Sequence, residues 1–230
     1  MVYNRSIATL RTYGDACGIP RALDRVGERW ALMIVRELLL GPKRFTDLKA
    51  GLPNASPNVL SQRLRRMEAD GIVTRHKLPP PAGSRVYELT EWGRELEPVL
   101  TALGRWGARA APPPPEHGMS FDAHILSLRT LFDPELAGDF STRLDLRLEE
   151  HRFRAEVSDG RLEVEAGEAH EPDAVVTSDA GTVLAVAHRR RDLAEALRSG
   201  DLEVEGDRAA VERFLGLFTL PEPALAPAKS

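Results

Sequence analysis

The stretch that most constrains the fold is residues 56–71, SPNVLSQRLRRMEADG. Ser56 is a favourable N-cap residue, and Pro57 suits the first turn of a helix, where its missing N–H is not needed. Gly71 predicts the C-terminal end of that helix. Three apolar side chains recur at i, i+4 and i+7: Leu60, Leu64 and Met67. The spacing predicts one helix with a single apolar face turned toward a core.

The segments on either side of this helix predict a winged helix-turn-helix. Upstream, residues 45–52 have the spacing of a short helix, and the following Pro53-Asn54 pair predicts a tight turn. Downstream, residues 72–78 and 85–89 predict two strands joined by PPPAGS, which is a β-hairpin with a proline-rich tip. A second helix after a turn, followed by a hairpin, is the arrangement in which proteins insert a helix into the major groove of DNA.

Polar and basic side chains cluster on these elements in the pattern of a DNA-binding surface. Amide, hydroxyl and guanidinium groups read base edges or hold phosphates. The residues predicted to contact double-stranded DNA are Lys43, Arg44, Thr46, Ser56, Asn58, Ser61, Gln62, Arg63, Arg65, Arg66, Arg75, Lys77 and Arg85. On the helix, Arg63 and Arg66 are expected at the flanks of the apolar stripe. The alternative is that these charges are only a solvated surface, but the adjoining turn and wing favour DNA.

Four segments, in this order, resemble the HxlR family of bacterial winged-helix transcription regulators: GERW, RELLLGPKRFTDL, SPNVLSQRL and YELTEWGREL. The resemblance covers about residues 13–110. It implies a homodimer that binds double-stranded DNA. One departure concerns the N-terminal cysteine, which the family usually follows directly with proline, whereas this chain reads Cys17-Gly18-Ile19-Pro20.

Cys17, the single cysteine of the chain, has two interpretations. Some regulators of the resembled family use an N-terminal thiol as a redox switch, which needs an exposed and activated sulfur. The other interpretation, which the sequence favours, is a half-buried thiol acting as a small apolar residue.

The charge is divided between the two halves of the chain. Residues 1–111 carry 18 Lys and Arg against 11 Asp and Glu, so their net charge is +7, and the remaining 13 against 24 give −11. A basic half is the half expected to meet a polyanion. We therefore predict a DNA-binding and dimerisation domain at 1–111, a proline-rich linker at 112–118 and a second domain at 119–230.

A long amphipathic helix is predicted over residues 91–110, entered from Thr90 as its N-cap. Its wide apolar stripe includes Trp92, Leu103 and Trp106. Pro98 is expected to bend this helix without ending it. Together with a short helix in residues 1–13, it is the predicted dimer interface, although an intrachain core helix is the alternative.

The C-terminal half predicts an α+β domain. After an apolar-striped helix at residues 121–132, the hydrophobic period changes to two, which predicts a strand meander with one wet face. A fourth strand at 174–177 is followed by helices at about 179–187 and 192–198, a short strand at 202–205 and a helix at 207–218. The residues predicted to face the core are Leu146, Phe153, Val175, Leu184 and Phe214.

The segment DAVVTSDAGTVLAVAHRRRDLAEALRSGDLEVEGD resembles the sterol-carrier-protein-2-like fold over about residues 120–220. The resemblance implies an apolar cavity between sheet and helices, and hence a hydrophobic small-molecule effector. The alternative is that side chains fill this space.

Several classes of protein are not supported by the sequence. No apolar run is long enough to span a membrane, and the N-terminus lacks the apolar region of a signal peptide, which with a single cysteine predicts a cytoplasmic protein. The six histidines show no metal spacing, and His76 and His188 are expected to be solvated. No nucleophile, phosphate-loop or dinucleotide motif is present, so we expect no enzyme activity and no cofactor.

The leading hypothesis is therefore an α+β regulator of transcription with an N-terminal winged helix-turn-helix and a C-terminal sheet-and-helix domain. The rival hypotheses are a thiol-based regulator using Cys17 and a ligand carrier or sensor whose winged helix contacts proteins.

Overall fold

The computed structural model describes residues 12–79, 83–111 and 118–224 and divides the chain into two compact units, Met1–Leu96 and Glu97–Ser230. The predicted boundary after residue 111 stays a prediction. The predicted linker, apart from Gly118, lies outside the described residues, as do residues 1–11 of the predicted N-terminal helix and residues 80–82 of the wing tip.

The first unit has the predicted order of helix, turn, helix and hairpin. Its elements are α1 (Gly18–Val26), α2 (Ala31–Leu38), α3 (Phe45–Gly51), α4 (Pro57–Ala69), β1 (Val73–Lys77), β2 (Arg85–Leu89) and α5 (Glu91–Arg94). Helices α3 and α4 form the helix-turn-helix, and β1 pairs antiparallel with β2 to form the wing. The mixed fold class predicted from the sequence is confirmed.

A small apolar core holds α2, α3 and α4 together. Ile34 and Leu38 of α2, Leu48 of α3, and the predicted α4 stripe of Leu60, Leu64 and Met67 are all completely buried. The main chain of Lys43 extends the wing sheet, since its N–H donates to the Tyr87 carbonyl at 2.9 Å and its carbonyl accepts from the Tyr87 N–H at 2.8 Å. This pairing ties the start of α3 to the wing.

The prediction of one continuous helix over residues 91–110 is wrong. Helix α5 ends at Arg94, and a separate helix α6 spans Glu97–Gly107. Pro98 explains the break, because in a continuous helix its ring would clash with the carbonyl of Arg94 and it has no N–H to donate. In the observed arrangement the same proline lies in the first turn of α6, where it is tolerated.

The second unit contains a five-stranded sheet with helices on one face. After α6 come α7 (Phe121–Leu131), α8 (Pro134–Ala137), β3 (Thr142–Leu148), β4 (His151–Ser158), β5 (Arg161–Ala166), β6 (Ala174–Ser178), α9 (Ala180–Ala187), α10 (Leu193–Ser199), β7 (Leu202–Gly206) and α11 (Arg208–Leu215). The strand order is β5-β4-β3-β6-β7, and only the β3–β6 pair is parallel.

The strand register decides which predicted core residues are inside. Leu146 pairs with Phe153 on one side and Val176 on the other, and all three are buried. Leu184 and Phe214 are also buried, as predicted. Val175 is the exception, because it pairs with Asp145 on the opposite face and is only half-buried. A strand with adjacent valines leaves its inward face ambiguous until its neighbours are known.

Within the described residues, no helix has the length and apolar character needed to cross a membrane.

Thr90, which follows β2 of the wing, forms hydrogen bonds with the residues that follow α4. Its hydroxyl donates to the Gly71 carbonyl at 2.7 Å, and its backbone N–H donates to the Ile72 carbonyl at 3.0 Å. The same hydroxyl accepts from the Gly93 N–H at 3.0 Å and so caps α5. Gly93 is buried against this junction, where an added Cβ would lie 2.2 Å from the Ile72 carbonyl oxygen.

We expect Gly93→Ala to destabilise the first unit by about 2 kcal/mol or more, because overpacking against a rigid backbone forces the junction apart. Urea denaturation followed by circular dichroism measures the change. Gly18→Ala is the matched control, since a Cβ there meets nothing within 4 Å, and it should alter stability by less than about 0.5 kcal/mol. Equal stability of the two variants would contradict this reading of the junction.

Candidate nucleic-acid interface

Helix α4 begins as the sequence predicts. The Ser56 hydroxyl accepts a hydrogen bond from the Val59 N–H at 3.3 Å, and Pro57 occupies the first turn. With Leu60, Leu64 and Met67 buried, the opposite side of the helix is turned to solvent. The core therefore fixes the rotation of α4 about its own axis.

Three polar side chains form a row along the solvent side of α4: Asn58, Gln62 and Arg65, hereafter the outward row. All three are exposed, and the side chains make no hydrogen bond or ion pair with any residue that the structure describes. Spacings of four and three residues keep them on one face, and at 1.5 Å per residue the row is about 10 Å long. Their donors and acceptors are free for an external partner.

The other two arginines of α4 are engaged within the protein. Arg63 donates to Glu28 at 3.0 Å, and its side chain is only 15% exposed. Arg66 donates to Asp70 at 2.8 Å, one turn further along the helix. Ser61 is half-buried beside the outward row. Arg63 and Arg66, which the sequence pattern placed at the flanks of the apolar stripe, are thus held in ion pairs. Arg65 makes no such bond with any residue that the structure describes.

Val59 is a surface residue that the sequence analysis missed. The residue is 37% exposed, whereas Leu60, Leu64 and Met67 of the apolar stripe are completely buried. The signal was present in the sequence, because Val59 lies about 100° around the helix from Leu60 and outside the apolar stripe. An exposed aliphatic group beside Asn58 and Gln62 adds an apolar contact to an otherwise polar surface.

Of the three predicted residues at the start of α3, Lys43 is held to the wing by its backbone pairing with Tyr87. Arg44 is exposed, and its backbone N–H donates to Asp47 at 3.0 Å, which caps the start of α3. The Thr46 hydroxyl donates to the same carboxylate at 3.2 Å. Lys43 is half-buried.

The wing presents cations at its far end. Lys77 and Arg85 are directly paired in the register and both are exposed. Like charges opposite one another on a hairpin repel, and an anion between them relieves that repulsion. Arg75 is also exposed, with its guanidinium 5.9 Å from the Tyr87 ring centre. His76 lies 3.7 Å from Glu88, which also accepts from Arg94 at 2.6 Å.

A buried carboxylate packs against the end of α3, and no sequence pattern predicted it. Glu37 of α2 is 1% exposed and accepts from the Arg36 guanidinium at 2.9 and 2.5 Å. It packs over Gly51, where a Cβ would lie 2.2 Å from the carboxylate oxygen. A larger residue at position 51 would therefore force the Glu37 carboxylate to move.

Cys17 lies outside this surface as the residue before α1. It is exposed, which contradicts the expected half-buried position, and its N–H donates to Asp15 at 2.8 Å. Its role as a redox switch stays a prediction.

In the second unit, the residues after α9 differ from the expectation. His188 is buried rather than solvated, and burial, followed by the nearby Arg190 charge, lowers its pKa to about 4. The adjoining cleft, of about 720 Å³, lies between the α9–α10 connection and α11. The aliphatic lining consists of Ala185, Val186, Leu193 and Leu215, and the charged lining consists of Arg189, Arg190, Arg191, Asp192, Glu195 and Glu212.

A helix-turn-helix with a cationic wing and an exposed polar row defines the class of winged-helix transcription regulators. The model of the family described as HxlR-like helix-turn-helix matches residues 25–114. The regulator YvaP of Bacillus subtilis, named as an uncharacterized HTH-type transcriptional regulator, is 38% identical over 40% of this chain and 86% of its own length. The chain belongs to this HxlR-like family.

Further relatives are consistent with this family. The uncharacterized HTH-type transcriptional regulator Rv3095 of Mycobacterium tuberculosis is 38% identical over 45% of this chain and 64% of its own length. The reduced form of the transcriptional regulator YodB from B. subtilis is 32% identical over 41% of this chain and 94% of that chain, with a TM-score of 0.38.

The C-terminal half matches a different family model, described as Alkyl sulfatase C-terminal, over residues 118–226. The resemblance of this half to the sterol-carrier-protein-2-like fold stays a prediction.

We expect Ser56→Ala to lower the free energy of unfolding by about 1 kcal/mol, because it removes the cap from the first turn of α4. Thermal and urea unfolding measure the loss. Ser61→Ala is the control on the same helix, since its hydroxyl caps nothing, and its effect should stay within about 0.5 kcal/mol. A Ser56 variant as stable as the Ser61 variant would show that the cap contributes nothing.

Proposed function

We propose that this protein is a homodimeric transcription regulator that binds double-stranded DNA by inserting α4 into the major groove and acts through binding rather than catalysis. The observation that carries the proposal is the outward row, three exposed side chains with unused hydrogen-bonding groups on a helix held by its opposite face. A major groove about 12 Å wide admits one α-helix, and such side chains are the ones that read base edges there.

The remaining predicted contacts fit the sugar-phosphate backbone. Ser56, Ser61 and Arg66 border the outward row, while Lys43, Arg44 and Thr46 lie at or before the start of α3. The wing cations Arg75, Lys77 and Arg85 suit phosphates or an adjacent minor groove, and Arg63 contributes through the ion pair that steadies α4. Binding of this kind releases counterions and weakens as salt rises.

Replacing Arg65 and Lys77 separately tests this placement. We expect Arg65→Ala to weaken binding to a preferred duplex by about 1–3 kcal/mol, because a base contact is lost. We expect Lys77→Ala to weaken binding to all duplexes similarly and to reduce the salt slope by about one unit. Fluorescence anisotropy with a labelled duplex from upstream of the gene, over a range of salt, measures both. Wild-type affinity in both variants would reject the proposed surface.

The dimer is supported by an apolar face on α6. Val99 is 52% exposed, Leu103 is 45% exposed and Trp106 is 72% exposed, at spacings of four and three residues that place them on one side of the helix. A contiguous exposed apolar face of this kind is typical of a protein–protein interface. Two-fold symmetry would suit two recognition helices about 34 Å apart, one turn of DNA.

We expect Trp106→Arg to convert the dimer to a monomer at micromolar concentration, because a charge at the most exposed position of this face would be desolvated on association. Light scattering coupled to size-exclusion chromatography measures the mass. Leu136→Arg is the control, because Leu136 of α8 is 48% exposed but lies outside the α6 face. A dimer that persists in the Trp106 variant would exclude this interface.

For the second unit we propose an effector-binding role for an apolar small molecule. Support comes from the sheet with helices on one face, which the sterol-carrier-like resemblance predicts, and from the match to a domain of alkyl sulfatases. The cleft beside α9 and α11 has a volume within the range of small-molecule sites and aliphatic walls. Its charged lining consists of the arginines 189–191 and the acids Asp192, Glu195 and Glu212. An alkyl chain suits the aliphatic walls, and an anionic head suits the end of the cleft formed by Arg189 and Arg190.

Octyl sulfate, below the concentration at which it forms micelles, is a suitable probe. We expect it to bind the full-length protein and to change the affinity for the labelled duplex by about 5- to 150-fold, which is the usual range of coupling between two sites. Calorimetry and anisotropy measure binding and coupling. The double variant Arg189→Ala/Arg190→Ala should bind the probe more weakly, and octyl glucoside controls for the alkyl chain alone. Absence of binding by the wild type would refute this role.

A further inference from the structure

We propose that each α4 reads, within about four base pairs, two A·T pairs followed toward the C-terminal end of the helix by one G·C pair, with Val59 against a thymine methyl group. This inference rests on the proposed DNA-binding function and specifies the sequence that the surface recognises. It follows from which side chains of α4 are free and from their order along the helix.

The chemistry of the outward row distinguishes bases. The side-chain amides of Asn58 and Gln62 each offer a donor and an acceptor side by side, which matches N7 and the N6 amino group of adenine. The Arg65 guanidinium offers two parallel donors, which match N7 and O6 of guanine. Because none of the three side chains is bonded to any residue within the described parts of the chain, these groups are available to bases.

The order and spacing of the row set the order of the base pairs. Asn58 and Gln62 are four residues apart and Gln62 and Arg65 three, so their positions along the axis differ by about 6 and 4.5 Å. Successive base pairs are about 3.4 Å apart. Asn58 and Arg65 are thus about 10.5 Å apart along the axis, or about three base-pair steps. A helix lying along the groove therefore places the three contacts within about four consecutive base pairs, with guanine at the Arg65 end.

The ion pairs of α4 limit the number of guanines. Arg63 is held by Glu28 at 3.0 Å and Arg66 by Asp70 at 2.8 Å. Using either for a base contact would break its ion pair, and the largely buried Arg63 would also have to leave its site. Arg65 is accordingly the guanidinium of α4 that is ready to bind guanine.

Val59 supplies the apolar part of the recognition. Val59 is 37% exposed as a whole residue and lies beside Gln62 on the helix surface. Of the four bases, thymine alone carries a methyl group in the major groove. The two amides therefore favour adenine, and the exposed valine beside them favours thymine. Both preferences select A·T pairs.

Selection from a library of random duplexes, with the full-length protein, tests the inference. The wild type should enrich duplexes with two A·T pairs and then one G·C pair within about four consecutive base pairs. Asn58→Ala and Gln62→Ala should each lose the preference at one A·T position, and Arg65→Ala should lose it at the G·C position. Lys77→Ala is the matched control, and it should enrich the same sequence with weaker overall binding.

Base analogues then test individual atoms in the enriched duplex. Replacing one adenine with 7-deazaadenine removes N7 and keeps the N6 amino group, so one of the two hydrogen bonds is lost. We expect weaker binding, by no more than the roughly 5- to 150-fold that a whole bidentate contact provides. Replacing thymine with uracil removes the methyl group and should weaken the wild type but not Val59→Ala.

The outcomes separate this inference from the function on which it rests. A wild type that binds no duplex overturns the proposed function itself. A wild type that enriches one sequence, with the same preference retained in the Asn58, Gln62 and Arg65 variants, leaves DNA binding intact and overturns the assignment of bases to the outward row.

Discussion

The burial of one stripe of α4 is the constraint on which the proposed surface depends. Leu60, Leu64 and Met67 are completely excluded from solvent, and α4 packs against α2 and β1. Because a helix is rigid, holding one face fixes the direction of every other side chain on it. The outward row is thus a consequence of core packing, and rolling α4 by one residue would bury polar groups at a cost larger than most surface interactions provide.

Ion pairing then decides which charges remain available. Of the three arginines on α4, Arg63 and Arg66 neutralise Glu28 and Asp70, and Arg65 has no partner in the described parts of the chain. Each ion pair neutralises the charge of its arginine, and it also holds the long arginine side chain in one position. On the wing the reverse holds, because Lys77 opposes Arg85 and leaves positive charge uncompensated. Free cations on two neighbouring elements are what a phosphate backbone requires.

The elements of the C-terminal unit could be predicted from the period-two pattern more completely than those of the N-terminal unit could be predicted from its helical patterns. Its strands and helices match the predicted segments closely, because alternation of apolar and polar residues leaves little freedom in a sheet with one wet face. The failures are local. Val175 was assigned to the wrong face by its adjacent valines, and Pro98 divides a helix that its apolar stripe predicted to be continuous.

The sequence by itself determined the helix-turn-helix, the wing, the stripe of α4 and the alternating strands, because caps, glycines, prolines and hydrophobic periodicity act over a few residues. Only the tertiary structure decided that Arg63 is held by Glu28, that Glu37 is buried over Gly51, and that His188 is enclosed. Those facts depend on residues far apart in the chain becoming neighbours. Local pattern carries no information about such pairs, and they determine which side chains remain free to bind.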